Sequence, residues 1–249
     1  MSNSVEEIDI ISELKNFSDQ NIIDVYLPTL GQTVQIKKLN VKQQKSLLLV
    51  ALEDAMSILN FNIALYEIIE ENIVDKKNVD VTKLTSIDKN SIIFHLLLDD
   101  ATDNSELTKS QLTTLVNNYK KSKNTTPSSI TVKQITLNLA VPTLYTDYRF
   151  NKTLYSKYTS GVTNRKQFID DTYLIEIAKY IQSIDVAKSQ KNKVTTNLLD
   201  QKVDGILKIV DSLPALTKIL TYMSDVKDNE TQLNTVDGKA VDINPTLFI

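Results

Sequence analysis

The single histidine, His95, is the one side chain whose ordinary pKa lies near neutrality. It sits inside Ile92-Ile93-Phe94-His95-Leu96-Leu97-Leu98, the most hydrophobic helix that the sequence suggests. A buried or boundary imidazole holding one hydrogen bond is preferred there over a catalytic base. The paired carboxylates Asp99-Asp100 and Asp170-Asp171 have the right types for acid–base work, but both fall at element ends, where solvated acids are ordinary. Asp170 and Asp171 also read as first-turn residues of a helix, where negative charge complements the dipole. The segment Asp225-Val226-Lys227-Asp228-Asn229-Glu230 carries oxygen donors like a calcium loop, without the central glycine or the spaced terminal glutamate. No Ser-His-Asp set follows from spacing.

The chain lacks the parts from which most active sites are built. Across 249 residues there is no Cys, no Trp and only four Gly. That excludes a thiolate nucleophile, a disulfide and a thiolate zinc site. A lone imidazole cannot supply a His-x-x-x-His metal pair, and Gly31, Gly161, Gly205 and Gly238 stand too far apart to cradle a phosphate. A binding, structural or assembly protein is therefore expected: not an enzyme, and without cofactor or metal. With 28 basic residues against 31 acidic and a net charge of −3, nothing draws the chain to nucleic acid or an anionic membrane. An apolar fraction of 41% and a charged fraction of 24% suit a soluble globular protein. Apolar runs such as 47–52 are far too short to span a bilayer. Residues 1–9 hold Glu6, Glu7 and Asp9 with no basic side chain, the opposite of a signal peptide. A cytosolic location is expected, in agreement with the absence of disulfides.

One segment offers recognition chemistry. Beyond Pro142 come Tyr145, Tyr148, Phe150, Tyr155 and Tyr158, interleaved with Arg149, Lys152 and Lys157. Basic–aromatic interleaving can serve single-stranded nucleic acid, but the overall charge supplies no funnel. A loop-rich surface or protein interface is preferred, with Tyr145, Tyr148, Arg149, Phe150, Lys152, Tyr155 and Tyr158 as the candidate partner surface.

The elements that must position these residues read as an α+β fold, mainly α. Ile8, Ile11 and Leu14 outline a short amphipathic surface helix. Two strands, 22–27 and 34–39, flank Pro28-Thr29-Leu30-Gly31, and Asn40 with Gln43 has capping-box spacing. The spacing then predicts a long helix over 41–72, with a break near Asn60, carrying the hairpin. Leu48, Leu52, Ala55, Leu59, Ile63, Tyr66 and Ile69 would line its buried face. Residues 75–80 read as a loop, and a helix over 91–98 would start at Ser86 or Asp88. A turn-rich break at 99–106 precedes a helix capped by Thr108 and Gln111. Residues 120–129 have linker composition. Alternation predicts one or more strands near 131–141, the clearest strand segment of the chain. Asn164 and Gln167 introduce a helix over 165–184, followed by a polar break at 188–196. A helix over 197–213 stops at Pro214, and a short last helix begins at Leu216. The chain thus divides into an N-terminal segment 1–20, a hairpin plus helical unit 21–120, a linker or exposed loop 121–130, a strand plus helical unit 131–224 and a C-terminal tail 225–249.

Several blocks carry a resemblance. Leu27-Pro28-Thr29-Leu30-Gly31-Gln32-Thr33-Val34-Gln35-Ile36, followed by Leu39-Asn40-Val41-Lys42-Gln43-Gln44-Lys45-Ser46-Leu47-Leu48, resembles the opening of the T-even-type bacteriophage baseplate hub proteins. Val79-Asp80-Val81-Thr82-Lys83-Leu84-Thr85-Ser86-Ile87-Asp88, running into Ile92-Ile93-Phe94-His95-Leu96, is similar to that family's next block. The strand 135–139 leading to Val141-Pro142-Thr143, and Leu213-Pro214-Ala215-Leu216, continue the order. The family's paired cysteines, which look like zinc ribbons, have no counterpart in 102–131 or 223–245. Any metal-stabilised ribbon is therefore absent here.

The resemblance implies a late protein made in an infected bacterium that helps build the central hub of a contractile-tail baseplate. It would bind other hub and tail proteins without catalysing a reaction, and would reside in the host cytoplasm during assembly. The family includes assembly factors of chaperone type and hub subunits retained in the virion's tail baseplate. Both roles stay open at this point, with assembly preferred. A host-directed inhibitor or a carboxylate-based enzyme is the alternative of another class.

Overall fold

Two short strands, β1 (Ile22–Leu27) and β2 (Gln32–Lys37), pair antiparallel with Val25 opposite Val34 and Ile23 opposite Ile36. Gly31 closes the turn at φ 63°, in the left-handed region where a side chain is strained. The computed structural model describes residues 21–51, 57–102, 105–122, 125–159, 164–187, 193–244 and 247. The amphipathic stretch at Ile8, Ile11 and Leu14 lies outside these residues, as do Leu52 and Ala55. No described helix is long and apolar enough to cross a membrane.

The hairpin buries Val25, Leu27, Val34 and Ile36 in one cluster with Phe61, Leu65 and Ile69 of α2 (Ser57–Asn72) and Ile92 and Ile93 of α3 (Ser86–Asp100). The intervening α1 (Val41–Ala51) adds Leu47 and Val50. Its start is the expected one: the Gln43 amide donates to Asn40 Oδ1 at 2.9 Å, and the Asn40 amide to Gln43 Oε1 at 3.1 Å. Asn60, the expected break, instead lies inside α2. Of the predicted buried face, Leu59, Tyr66 and Ile69 are buried while Leu48 and Ile63 are only half-buried. The start of α3 is capped by Thr85 rather than Ser86, with Asp88 completing the box.

Next, α4 (Lys109–Lys120) begins at the expected Thr108–Gln111 capping box and sets Leu112, Leu115, Val116 and Tyr119 against Phe94. The region around 131–141, where one or more strands are expected, holds two. β3 (Ser128–Val132) and β4 (Ile135–Leu139) are joined at Lys133-Gln134, where Lys133 takes φ 53°. No Gly or Asn marks that turn, so alternation ran through it unbroken. Of the stretch read as linker, Ser128, Ser129 and Ile130 belong to β3.

Then α5 (Leu144–Thr159) and α6 (Arg165–Lys179) precede β5 (Ile181–Ala187) and β6 (Lys193–Thr196). The helix expected to reach 184 stops at Lys179. Ile177, Ile181 and Ile184 have helical spacing, but pairing of Ile184 with Leu137 of β4 draws this β-branched segment into the sheet. Likewise, Lys193–Thr196 of the predicted polar break forms β6. The sheet order is β3-β4-β5-β6, all antiparallel.

Over the sheet lie α5, α6, α7 (Val203–Asp211) and α8 (Leu216–Leu233), joined in one apolar cluster. The predicted helix over 197–213 is a 3-10 turn, Leu198–Asp200, followed by α7. The expected polar tail is also structured. Residues 225–233 continue α8, with Val226 fully buried, and β7 (Thr235–Val236) and β8 (Lys239–Ala240) close a hairpin at Asp237-Gly238. Gln111 Nε2 reaches Asp237 at 2.9 Å, holding that hairpin on α4.

The fold is α+β and mainly α, with cores that cross the expected divisions. The Leu144 amide donates to Leu84 O at 2.7 Å beside a Thr85–Thr143 bridge, and Leu144 is buried in the hairpin's cluster.

Candidate functional site

The Tyr-rich segment is helical, not loop-rich. Thr143 starts it: its Oγ1 accepts from the Thr146 amide at 3.1 Å. The 3.6-residue period then sorts the aromatic residues onto different faces. Phe150, Leu154 and Tyr158 point into the main core, at 2%, 0% and 6% exposure. Tyr145, Tyr148, Arg149 and Lys152, at i, i+3, i+4 and i+7, share the opposite face, which lies along α2. Tyr155 is half-buried between these faces.

On that face, Tyr148 packs half-buried against the hairpin's cluster and stacks on Tyr66 with ring centroids 4.5 Å apart and planes 23° from parallel. Tyr145 meets Tyr66 at 6.2 Å in a tilted arrangement. Each Tyr hydroxyl is engaged by a cation one turn on: Arg149 Nη1 donates to Tyr145 at 2.8 Å, and Lys152 Nζ to Tyr148 at 2.6 Å. The cations also overlie those same rings, at 5.7 Å for Arg149 and 4.9 Å for Lys152. The Tyr148 hydroxyl in turn donates to Glu67 at 3.2 Å, and Lys152 lies 3.8 Å from that carboxylate. Burial, with Glu70 and the neighbouring phenols, pushes the Tyr66 hydroxyl up to about 12. The bond that Lys152 donates to Tyr148, more than the nearby Glu67, raises the Lys152 ammonium pKa.

The result is a preordered strip of half-buried aromatic rings rimmed by two exposed cations. Such a strip suits protein contact: rings give large area at small rotamer cost, and the charged rim sets orientation. Tyr66 and Glu67 belong to it and were not recognised from sequence. Tyr66 reads there only as one apolar position of a helix, and no local signal pairs it with residues about eighty positions later.

The other candidates fall elsewhere. His95 donates from Nδ1 to Ser91 O at 2.8 Å, and burial lowers its pKa, so it is neutral at pH 7. Asp99 pairs with Lys38. Asp171 is buried, not solvated, and accepts from Lys157 Nζ at 2.8 Å and Tyr158 Oη at 2.6 Å. The calcium-like segment 225–230 is helical within α8, so it forms no loop. Asp147 of α5 and Glu176 of α6 clasp the buried Lys179 ammonium, which also donates to Asn151 at 2.9 Å. Burial disfavours both charges there, but mutual attraction outweighs it, lowering the Asp147 pKa and raising that of Lys179. No group of three or more His, Cys, Asp or Glu among the described residues could hold a metal ion.

No protein-family model, curated protein or solved structure matches the chain.

Proposed function

We propose that this is a non-enzymatic phage protein acting in assembly of the central hub of a contractile-tail baseplate, by binding other hub proteins. The observation that carries the binding role is the α5 strip, where half-buried Tyr145 and Tyr148 are held by Tyr66 and bonded by the exposed Arg149 and Lys152. The resemblance of the blocks around Leu27–Ile36, Val79–Asp88 and Leu213–Leu216 to the hub family supplies the kind of partner. The assembly role places the protein in the host cytoplasm while baseplates form.

Co-expression with the hub proteins followed by size-exclusion chromatography tests this reading. Co-migration is expected, and its loss in Arg149→Glu/Lys152→Glu would tie it to α5. Migration alone, together with normal hub formation without the protein, would overturn it. Mass spectrometry of finished virions then separates an assembly factor, which is absent, from a hub subunit, which is retained.

A further inference from the structure

The edge of the four-stranded sheet offers a second, independent surface. In the β3–β4 ladder the two-residue turn pairs Val132 with Ile135, so the backbones of Ser128, Ile130 and Val132 face β4. Ser129 and Thr131 therefore direct their N–H and C=O groups away from the sheet, where no described strand pairs with them. The other edge, β6, begins with Lys193, a charge of the kind that guards exposed edges. By contrast β3 reads Ser-Ser-Ile-Thr-Val, with no charge and no proline. Its β-branched Ile130, Thr131 and Val132 favour strand, and Ser129 and Thr131 are exposed.

This edge lies along a groove of about 400 Å³ whose far wall is α8. Lys218, Thr221, Tyr222 and Asp225 form the wall, at helical spacing on one face. Lys218 and Asp225 stand roughly 10 Å apart along the axis. Neither makes an ion pair with another described residue.

We infer that β3 and α8 form the contact of a two-fold homodimer, with the β3 strands of two copies pairing antiparallel about Ile130. The arrangement is self-complementary at every level. Ser129 would face Thr131 of the second copy, and both carry outward backbone groups, so each pair exchanges N–H···O bonds in both directions. The two Ile130 side chains meet on the core side and continue the apolar layer across the two-fold axis. The two α8 helices then lie antiparallel on the same side of a continuous sheet, bringing each Lys218 to the other copy's Asp225. A two-fold operator needs one patch that fits itself, and a Lys and Asp at opposite ends of one wall meet that need.

Sedimentation velocity of the full chain over a concentration series tests this. A concentration-dependent dimer is expected. Lys218→Glu should raise its dissociation constant about ten-fold, because symmetry places two like-charge contacts in each dimer. Lys218→Glu/Asp225→Lys should restore it, a rescue that a merely structural role would not give. Thr131→Pro, which removes an outward amide and spares the β3–β4 ladder, should abolish the dimer while circular dichroism stays unchanged. A chain that is monomeric throughout would overturn the inference. So would a dimer indifferent to both Lys218→Glu and Thr131→Pro. A monomer that instead binds a synthetic 126–133 peptide in fluorescence anisotropy would assign the edge to extended peptides and equally overturn it. None of these outcomes depends on the α5 strip.

Discussion

Asp88 accepts a hydrogen bond from the Thr29 amide at 2.9 Å, so one fully buried carboxylate fastens the turn of the N-terminal hairpin to the first turn of α3. Its second oxygen takes the Thr85 amide at 2.8 Å, and the Thr29 and Thr85 hydroxyls meet at 2.8 Å beside it. A helix cap and a tertiary clasp are therefore the same side chain. Asp88→Ala strands two amides at once and should cost about 2–4 kcal/mol in urea unfolding. Asp88→Asn, which keeps one acceptor, should lose less. Wild-type stability in Asp88→Ala would show that water replaces the clasp without loss.

Lys179 gives a second stability test. It is 5% exposed, and its two carboxylate partners come from different helices, Asp147 on α5 and Glu176 on α6. Lys179→Ala leaves these charges facing one another and should destabilise the fold by about 3–5 kcal/mol. Adding Asp147→Asn to Lys179→Met should recover much of that loss, as read by thermal denaturation.

Two carboxyls should give opposite pH dependences. Burial raises the Glu230 pKa, against the bond from Ser86 and the charges of Lys89 and Lys227. Its cost to folding is absent below the ordinary carboxyl pKa and grows as pH rises through the folded value. Glu230→Gln should therefore stabilise at pH 7, with the gain vanishing near pH 4. Asp185 behaves inversely. Lys193 first, then Thr195 and Asn138, hold it at about 2. Its contribution is complete above the ordinary value near 4 and is lost as pH falls toward about 2. Asp185→Asn should flatten acid unfolding in that window. Identical pH profiles for both variants would refute these assignments.

At the α5 strip, binding and folding should separate by position. Arg149 and Lys152 are exposed and bond to Tyr145 and Tyr148, so Arg149→Ala and Lys152→Ala should shift stability by less than about 1 kcal/mol. Tyr148→Ala also removes the stack on Tyr66 and should cost about 1–2 kcal/mol. If the proposed hub role holds, each should weaken association with a hub protein by about 1–4 kcal/mol. Phe150→Ala should instead lower the melting temperature with binding per folded molecule unchanged. Calorimetry of the isolated protein beside titration against the hub partner distinguishes these effects.

The local rules that sequence carries were readable. Capping pairs Asn40–Gln43 and Thr108–Gln111 sit where their spacing puts them, as does the Gly31 turn. What failed was decided by distant partners. Ile181 and Ile184 have the period of a helix and become strand because β4 offers a ladder. The Lys133-Gln134 turn has no turn-forming residue to announce it. The α5 strip is half legible: Tyr145–Tyr158 stands out by composition, and a helical period would place Phe150 and Tyr158 on one face and Arg149 and Lys152 on the other, but no local signal marks the segment as helix rather than loop. Tyr66 and Glu67 join through packing alone.

The bond from the Leu144 amide to Leu84 has a consequence for the growing chain. Leu144 is polymerised 60 residues after Leu84, an interval of about 3–12 s at about 5–20 residues per second. Throughout it, the apolar cluster of β1, β2, α2 and α3 lacks the helix that closes it. The nascent chain thus carries an open hydrophobic seam on the ribosome, and ribosome profiling with capture of ribosome-bound chaperones should show occupancy that ends once α5 emerges.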